Sequence, residues 1–192
     1  MNRSLNLKAG VLIVMIFAAA FSRLLPHPPN VTPIGAMSLF GAAYFSRRYL
    51  ALIVPFLAMW LSDLYLNNVI YSKLYPEFYS GFSWFGGWSV YLSFALIVGL
   101  GWLLLRKVSL LRLVGASVSA SLLFFLITNF QAWMMTPAYP KTAVGLGMAY
   151  TAGIPYFWNT LLGDLFFTGV LFGAFAFFQQ RVPALRTQVA VK

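Results

Sequence analysis

The sequence predicts an all-α integral membrane protein with six transmembrane helices and both termini in the cytoplasm. Three observations predict it. Of the 192 residues, 61% are hydrophobic and only 8% charged, and the mean hydropathy is +0.81. Soluble domains carry about 25% charged residues, so a water-facing globule of this composition would lack the charge to cover its surface. The apolar runs are continuous, whereas the strands of a membrane β-barrel are shorter and alternate in polarity. The cations fall in short clusters between those runs, as topology signals do.

These observations exclude a soluble enzyme, a disordered chain and a disulfide scaffold. The chain has no Cys, which removes thiolate metal sites and cysteine nucleophiles. The net charge of +10 does not gather into a patch with stacking aromatics, so nucleic acid is not a predicted partner. The lipid bilayer is. Residues 1–192 suit a single domain, and at about 20 residues per span the length allows five to seven helices.

The first apolar run, residues 9–25, follows Arg3 and Lys8. It is read as a retained span rather than a cleaved signal, because the rest of the chain is equally apolar. Pro26-His27-Pro28-Pro29-Asn30-Val31-Thr32-Pro33 breaks it, since four prolines in eight residues exclude a regular helix. The second run, residues 34–45, is short for a span and is predicted to be tilted or partly buried; Arg47 and Arg48 close it. The third run, 49–66, contains Pro55. Residues 67–86 are polar, aromatic and rich in breakers, and are predicted to be a loop. The fourth run is 87–105, closed by Arg106 and Lys107. The fifth is 110–128, with an extension toward Met135. Residues 136–152, with Pro137, Pro140 and several Gly, are predicted to be a second long connection. The sixth run is 154–178, followed by a basic tail.

With both ends inside, the cytoplasmic segments hold Arg3, Lys8, Arg47, Arg48, Arg106, Lys107, Arg112, Arg181, Arg186 and Lys192. Only Arg23, Lys73 and Lys141 fall outside, so six spans satisfy the positive-inside rule. The segments 26–33, 67–86 and 136–152 then form an elaborate outer face opposite a plain inner one. That asymmetry suits a receptor or an uptake protein.

Two of the three acids, Asp63 and Asp164, sit inside apolar runs. A carboxylate there costs at least about 2.5 kcal/mol, so such residues face the interior and have a task. Each lies roughly 21 Å from the inner boundary at 1.5 Å per residue. Their contexts, Leu61-Ser62-Asp63-Leu64 and Leu162-Gly163-Asp164-Leu165, hint at a three-plus-three repeat. They are read either as lining one outward cavity or as bonding neighbouring helices. His27, rigid between prolines, can bond a ligand or a metal through its imidazole. Tyr79, Trp84, Trp88, Tyr139 and their aromatic neighbours form an interfacial belt or, in part, the walls of a ligand pocket. Asn30, Asn67, Asn129 and Asn159 add neutral polar groups at that level. Small residues four apart, Ala116 with Ala120, Ser117 with Ser121 and Gly169 with Gly173, permit close helix contact. No phosphate-binding loop is present: Gly145-Leu146-Gly147 lacks the rest of either fingerprint.

A chain of this length, with six runs, termini inside, elaborate outer loops and no ATPase, resembles the substrate-binding S components of energy-coupling-factor (ECF) vitamin transporters. The stretches Leu25–Tyr44, Tyr139–Thr142 and Ile154–Asp164 also resemble a family of small bacterial membrane proteins of unassigned function. Within the S components the nearest analogy is to the solitary cobalamin-uptake subunits, through His27 before the second run and Asp63 late in the third. The resemblance implies a non-enzymatic, multi-pass subunit of the bacterial inner membrane that captures a vitamin-like molecule at its outer face. The partners it implies are an ECF coupling protein and ATPase subunits. It also implies His27 as a cobalt ligand for a bound corrinoid; Ser80 stands in the loop where a Cys ligand would be wanted. Three other readings compete. A six-span scaffold, similar to bacterial shape-determining proteins, would bind no small molecule. A proton-coupled carrier would use Asp63 and Asp164. An intramembrane aspartyl protease is disfavoured, because Leu161 replaces the first Gly of the Gly-x-Gly-Asp motif.

Overall fold

The computed structural model describes residues 3–77, 79 and 81–186. Ser80 and Lys192 lie outside them. Among the described residues the regular structure is all-helical: α1 Arg3–Ser22, α2 Ile34–Tyr44, α3 Arg48–Tyr65, α4 Trp88–Leu104, α5 Leu110–Met135 and α6 Ala143–Arg181. A π-helical stretch, Leu66–Tyr71, and a last turn, Ser72–Leu74, prolong α3 without a break. Three helices are long and apolar enough to cross a membrane: Arg48–Leu74, α5 and α6. The other three are apolar but shorter.

The boundaries correct four expectations. The first helix begins earlier than residue 9 and ends at Ser22, and Lys8 is buried within it, 5.8 Å from the Tyr44 ring and 6.0 Å from that of Phe175. The polar segment 67–86 is helical to Leu74, which confines the irregular chain to the residues after it. The connection 136–152 shrinks to 136–142, because α6 starts at Ala143. The sixth run begins before residue 154 and occupies Ala143–Arg181, about 58 Å of helix at 1.5 Å per residue, whereas the fifth reaches Met135 as its expected extension has it. Where a helix runs past its expected end, polar or glycine residues carry the breaker signal. In an apolar bundle the backbone's own hydrogen bonds favour continued helix, and glycine admits a neighbouring helix instead. Gly153 shows it: an added Cβ would stand 2.2 Å from the Asn129 amide oxygen on α5.

The short second run is the centre of the molecule. Residues Ile34 to Gly41 of α2 are all buried, and α2 packs on every other helix. Around it, α5 pairs with α6 along a seam of small and hydroxyl side chains. Ala116, Ser117, Ala120 and Ser121 are fully buried there, and Ser117 Oγ donates to Thr168 Oγ1 at 3.0 Å. These small residues serve internal packing. Gly169 and Gly173 instead face open space. At the basic end, Phe40, Tyr44, Phe172 and Phe175 form an aromatic cluster with centroids 4.5–5.7 Å apart. Arg48 lies over Trp102 and Arg181 over Phe177.

Candidate functional site

At the opposite end, residues 23–34, the prolonged α3 and the start of α4 enclose a cavity of about 720 Å³. The size is within the range of small-molecule pockets. Its walls come from Arg23, His27, Asn30 and Thr32 on the first connection, from Asp63, Asn67, Ile70 and Tyr71 on α3, and from Tyr79, Gly86 and Gly87 on the second. A second cavity of about 750 Å³ adjoins it, and Asn67, Tyr79, Gly86 and Gly87 border both.

The π-helical stretch explains why so many α3 side chains reach the space. A π turn inserts one extra residue, widens the helix and re-aims the side chains that follow. Leu66, Asn67, Ile70, Tyr71 and Leu74 all face the cavity. Asn68, on the other side of the stretch, holds the second connection in place. Its amide donates to Leu64 O and Ser83 O, each at 2.9 Å, and its carbonyl accepts from Ser83 N at 2.7 Å.

The cavity wall carries an ion pair. Arg23 Nη1 lies 2.7 Å from Asp63 Oδ1, and Tyr91 Oη donates to Asp63 Oδ2 at 3.1 Å. Arg23 Nη1 also donates to Ser62 Oγ at 2.8 Å, while its Nε is buried with no partner among the described residues. The pair joins the end of α1 to α3 and α4. It neutralises Asp63, so the acid of this long apolar helix has a specific partner. Arg23 is the site residue that sequence reasoning missed. The signal for it is a lone cation near the end of the first apolar run and a lone acid late in the third, which are natural partners.

Among the other wall residues, His27 Nδ1 lies 2.7 Å from Leu25 O. A carbonyl only accepts, so Nδ1 carries a proton, and Nε2 is the ring nitrogen left for another partner. Asn30 adopts φ 64°, a left-handed conformation that Asn tolerates better than most residues. Tyr71 is flanked by Tyr79 and Tyr75, with centroids 5.5 and 6.2 Å away. Burial pushes the Tyr79 phenol above its ordinary range, with Tyr71, Asp63 and Tyr75 adding to the shift, so it stays neutral at physiological pH. Asn67 is only 8% exposed and its side chain makes no hydrogen bond to a described residue.

Of the two readings of Asp164, lining the cavity with Asp63 or bonding neighbouring helices, its packing fits the second. Asp164 is 2% exposed, between α2, α5 and α6, and does not line the cavity. Its carboxyl accepts from Ser121 Oγ at 2.7 Å and from the backbone N–H groups of Gly35 and Ala36. Those N–H groups belong to the first turn of α2, whose N-cap, Pro33, offers no side-chain bond. Asp164 therefore caps α2 from another helix. An N-terminus inside an apolar bundle has no water to satisfy its free donors, and a carboxylate also complements the helix dipole. The contact is so close that a Cβ on Gly35 would stand 2.4 Å from it. Gln131 does the same for α4: its Oε1 accepts from Ser89 N at 2.9 Å, where Gly87 gives no cap.

Other expected site residues also act in construction. Asn159 Nδ2 donates to Pro29 O at 2.9 Å, and Gly163 admits Val31 and Thr32 against α6. The stretches Leu25–Tyr44 and Ile154–Asp164 are thus two halves of one docking contact. Tyr139–Thr142 builds the α5–α6 turn: Lys141 Nζ donates to the carbonyls of Trp133, Thr136 and Tyr139, and Thr142 Oγ1 accepts from Gly145 N at 3.2 Å. Asn129 Nδ2 donates to Phe125 O. Trp84 is 62% exposed, and Trp88 and Trp158 are also exposed; none of the three lines the cavity. They suit an interfacial belt. Among the described residues no group of three or more His, Cys, Asp or Glu could hold a metal ion.

No curated protein and no solved structure matches the chain. One family does, over residues 3–185, and the chain therefore belongs to DUF6580, a family of unknown function.

Proposed function

We propose that this chain is a six-span protein of the bacterial cytoplasmic membrane, with both termini inside, that binds a vitamin-like small molecule at its outer face for uptake. The observation that carries the reading is the cavity of about 720 Å³ walled by Arg23, His27, Asp63 and Asn67, at the end of the bundle away from the basic turns. Positive charge marks the cytoplasmic side, so the cavity opens outward. A scaffold has no need of a polar pocket at that depth. A carrier built on two aspartates is disfavoured, because Asp164 is engaged in capping α2. The resemblance to ECF S components supports the same reading and supplies the partners, a coupling protein and ATPases. A corrinoid, which His27 Nε2 would ligate at cobalt, is larger than this cavity encloses; a ligand of a few hundred daltons suits it better.

Native mass spectrometry of the full chain, purified gently from its own membranes, tests the proposal. A bound species that disappears in His27→Ala and persists in Asp164→Asn is expected. Retention of the same species in every cavity variant, or none in the unaltered protein, contradicts it. Cobalamin added to the purified chain serves as a control, with a spectral shift lost in His27→Ala as the mark of cobalt ligation.

A further inference from the structure

The composition of the cavity wall narrows the ligand class. Asn67 is buried, borders both cavities and has no hydrogen-bond partner among the described residues. Its amide atoms are not sealed in protein but open to the cavity, so its donor and acceptor are available to something that enters. A side-chain amide presents both in one plane, and the complement is a group with an adjacent donor and acceptor in a plane, such as a lactam or carboxamide.

Charge gives a second restriction. Arg23 and Asp63 are the cavity's charged pair and lie in contact. Paired with each other, they leave the wall without a net charge to draw in an ion, which suits an uncharged ligand. Shape gives a third: Tyr71, Tyr75 and Tyr79, packed on one another, line the cavity with aromatic surface that suits a flat body.

We infer that the cavity takes an uncharged, flat heterocycle that presents a lactam edge to Asn67. The inference rests on the small-molecule reading above and specifies its ligand. The full chain in lipid nanodiscs is titrated with pterin, a fluorescent uncharged ring with a lactam edge, and with pterin-6-carboxylate, the same ring bearing an anion. Pterin is expected to bind about tenfold or more tightly than the carboxylate. Asn67→Leu is expected to weaken pterin about tenfold, the loss expected for one good hydrogen bond. If Asn67→Leu melts early, Asn67→Asp, which keeps the shape but loses the donor and adds charge, is expected to show at least the same loss. Equal or tighter binding of the carboxylate, unchanged affinity in the variants, or no pterin binding overturns the inference. A charged ligand that co-purifies in the cavity would overturn the ligand class alone; an empty cavity in the native protein would overturn the functional reading as well.

Discussion

Cutting Asp63 back to Leu leaves the Arg23 guanidinium buried without its anion, and Arg23→Met leaves Asp63 without its cation. Each is expected to cost about 3–5 kcal/mol in reversible unfolding of the solubilised protein, while the double variant costs less than their sum. A double-mutant cycle reads the coupling directly. At Asp164 the expectation is different. Asp164→Ala strips the acceptor from the Gly35 and Ala36 N–H groups in the first turn of α2, a loss of about 3 kcal/mol at roughly 1–3 kcal/mol per orphaned group, while Ser121 keeps its bond to Ser117 O. Asp164→Asn keeps an acceptor, so it should melt slightly early and bind ligand normally. Cost alone pointed to both acids in the sequence, because carboxylates are rare in apolar runs. It did not separate their tasks. Asp63 has a cation to neutralise it and faces a cavity, whereas Asp164 meets the N-terminus of a helix, and only the packing of α2 against α6 reveals that.

At the scale of elements, the molecule supplies helix caps from neighbouring helices. Asp164 caps α2 and Gln131 caps α4, where local sequence gives no cap. Asn68 fastens the connection between α3 and α4 in a similar way. Asn68→Ala should therefore leave the helices intact but speed hydrogen exchange of Ser83 and its neighbours, measured by mass spectrometry; unchanged exchange would show that the anchor is elsewhere. The apolar runs gave the number of major helices and the short, buried character of α2. They did not give the ends of α3 and α6. Asn67, Asn68, Gly145 and Gly153 carry loop signals in water, but here they face a cavity, bond a neighbour or admit a helix. A π stretch leaves no periodicity long enough to read, so the re-aiming of Asn67 was legible only in the structure.

For the whole molecule, the central claim is that the cavity lies on the outer side of a six-span bundle. The charge pattern supports it, since Arg47, Arg106, Lys107 and Arg181 all lie at the end away from Asp63 and Asn67. The absence of Cys from the sequence makes a clean test available, because any introduced thiol is the one that reacts. Leu74 is an exposed residue on the cavity wall, and Ser109 sits in the basic turn before α5. Leu74→Cys and Ser109→Cys, each made alone, are treated in intact cells with a membrane-impermeant maleimide. The account predicts labelling of Leu74→Cys at once and of Ser109→Cys only after the membrane is opened. Labelling of Ser109→Cys in intact cells, or protection of Leu74→Cys until lysis, would contradict it.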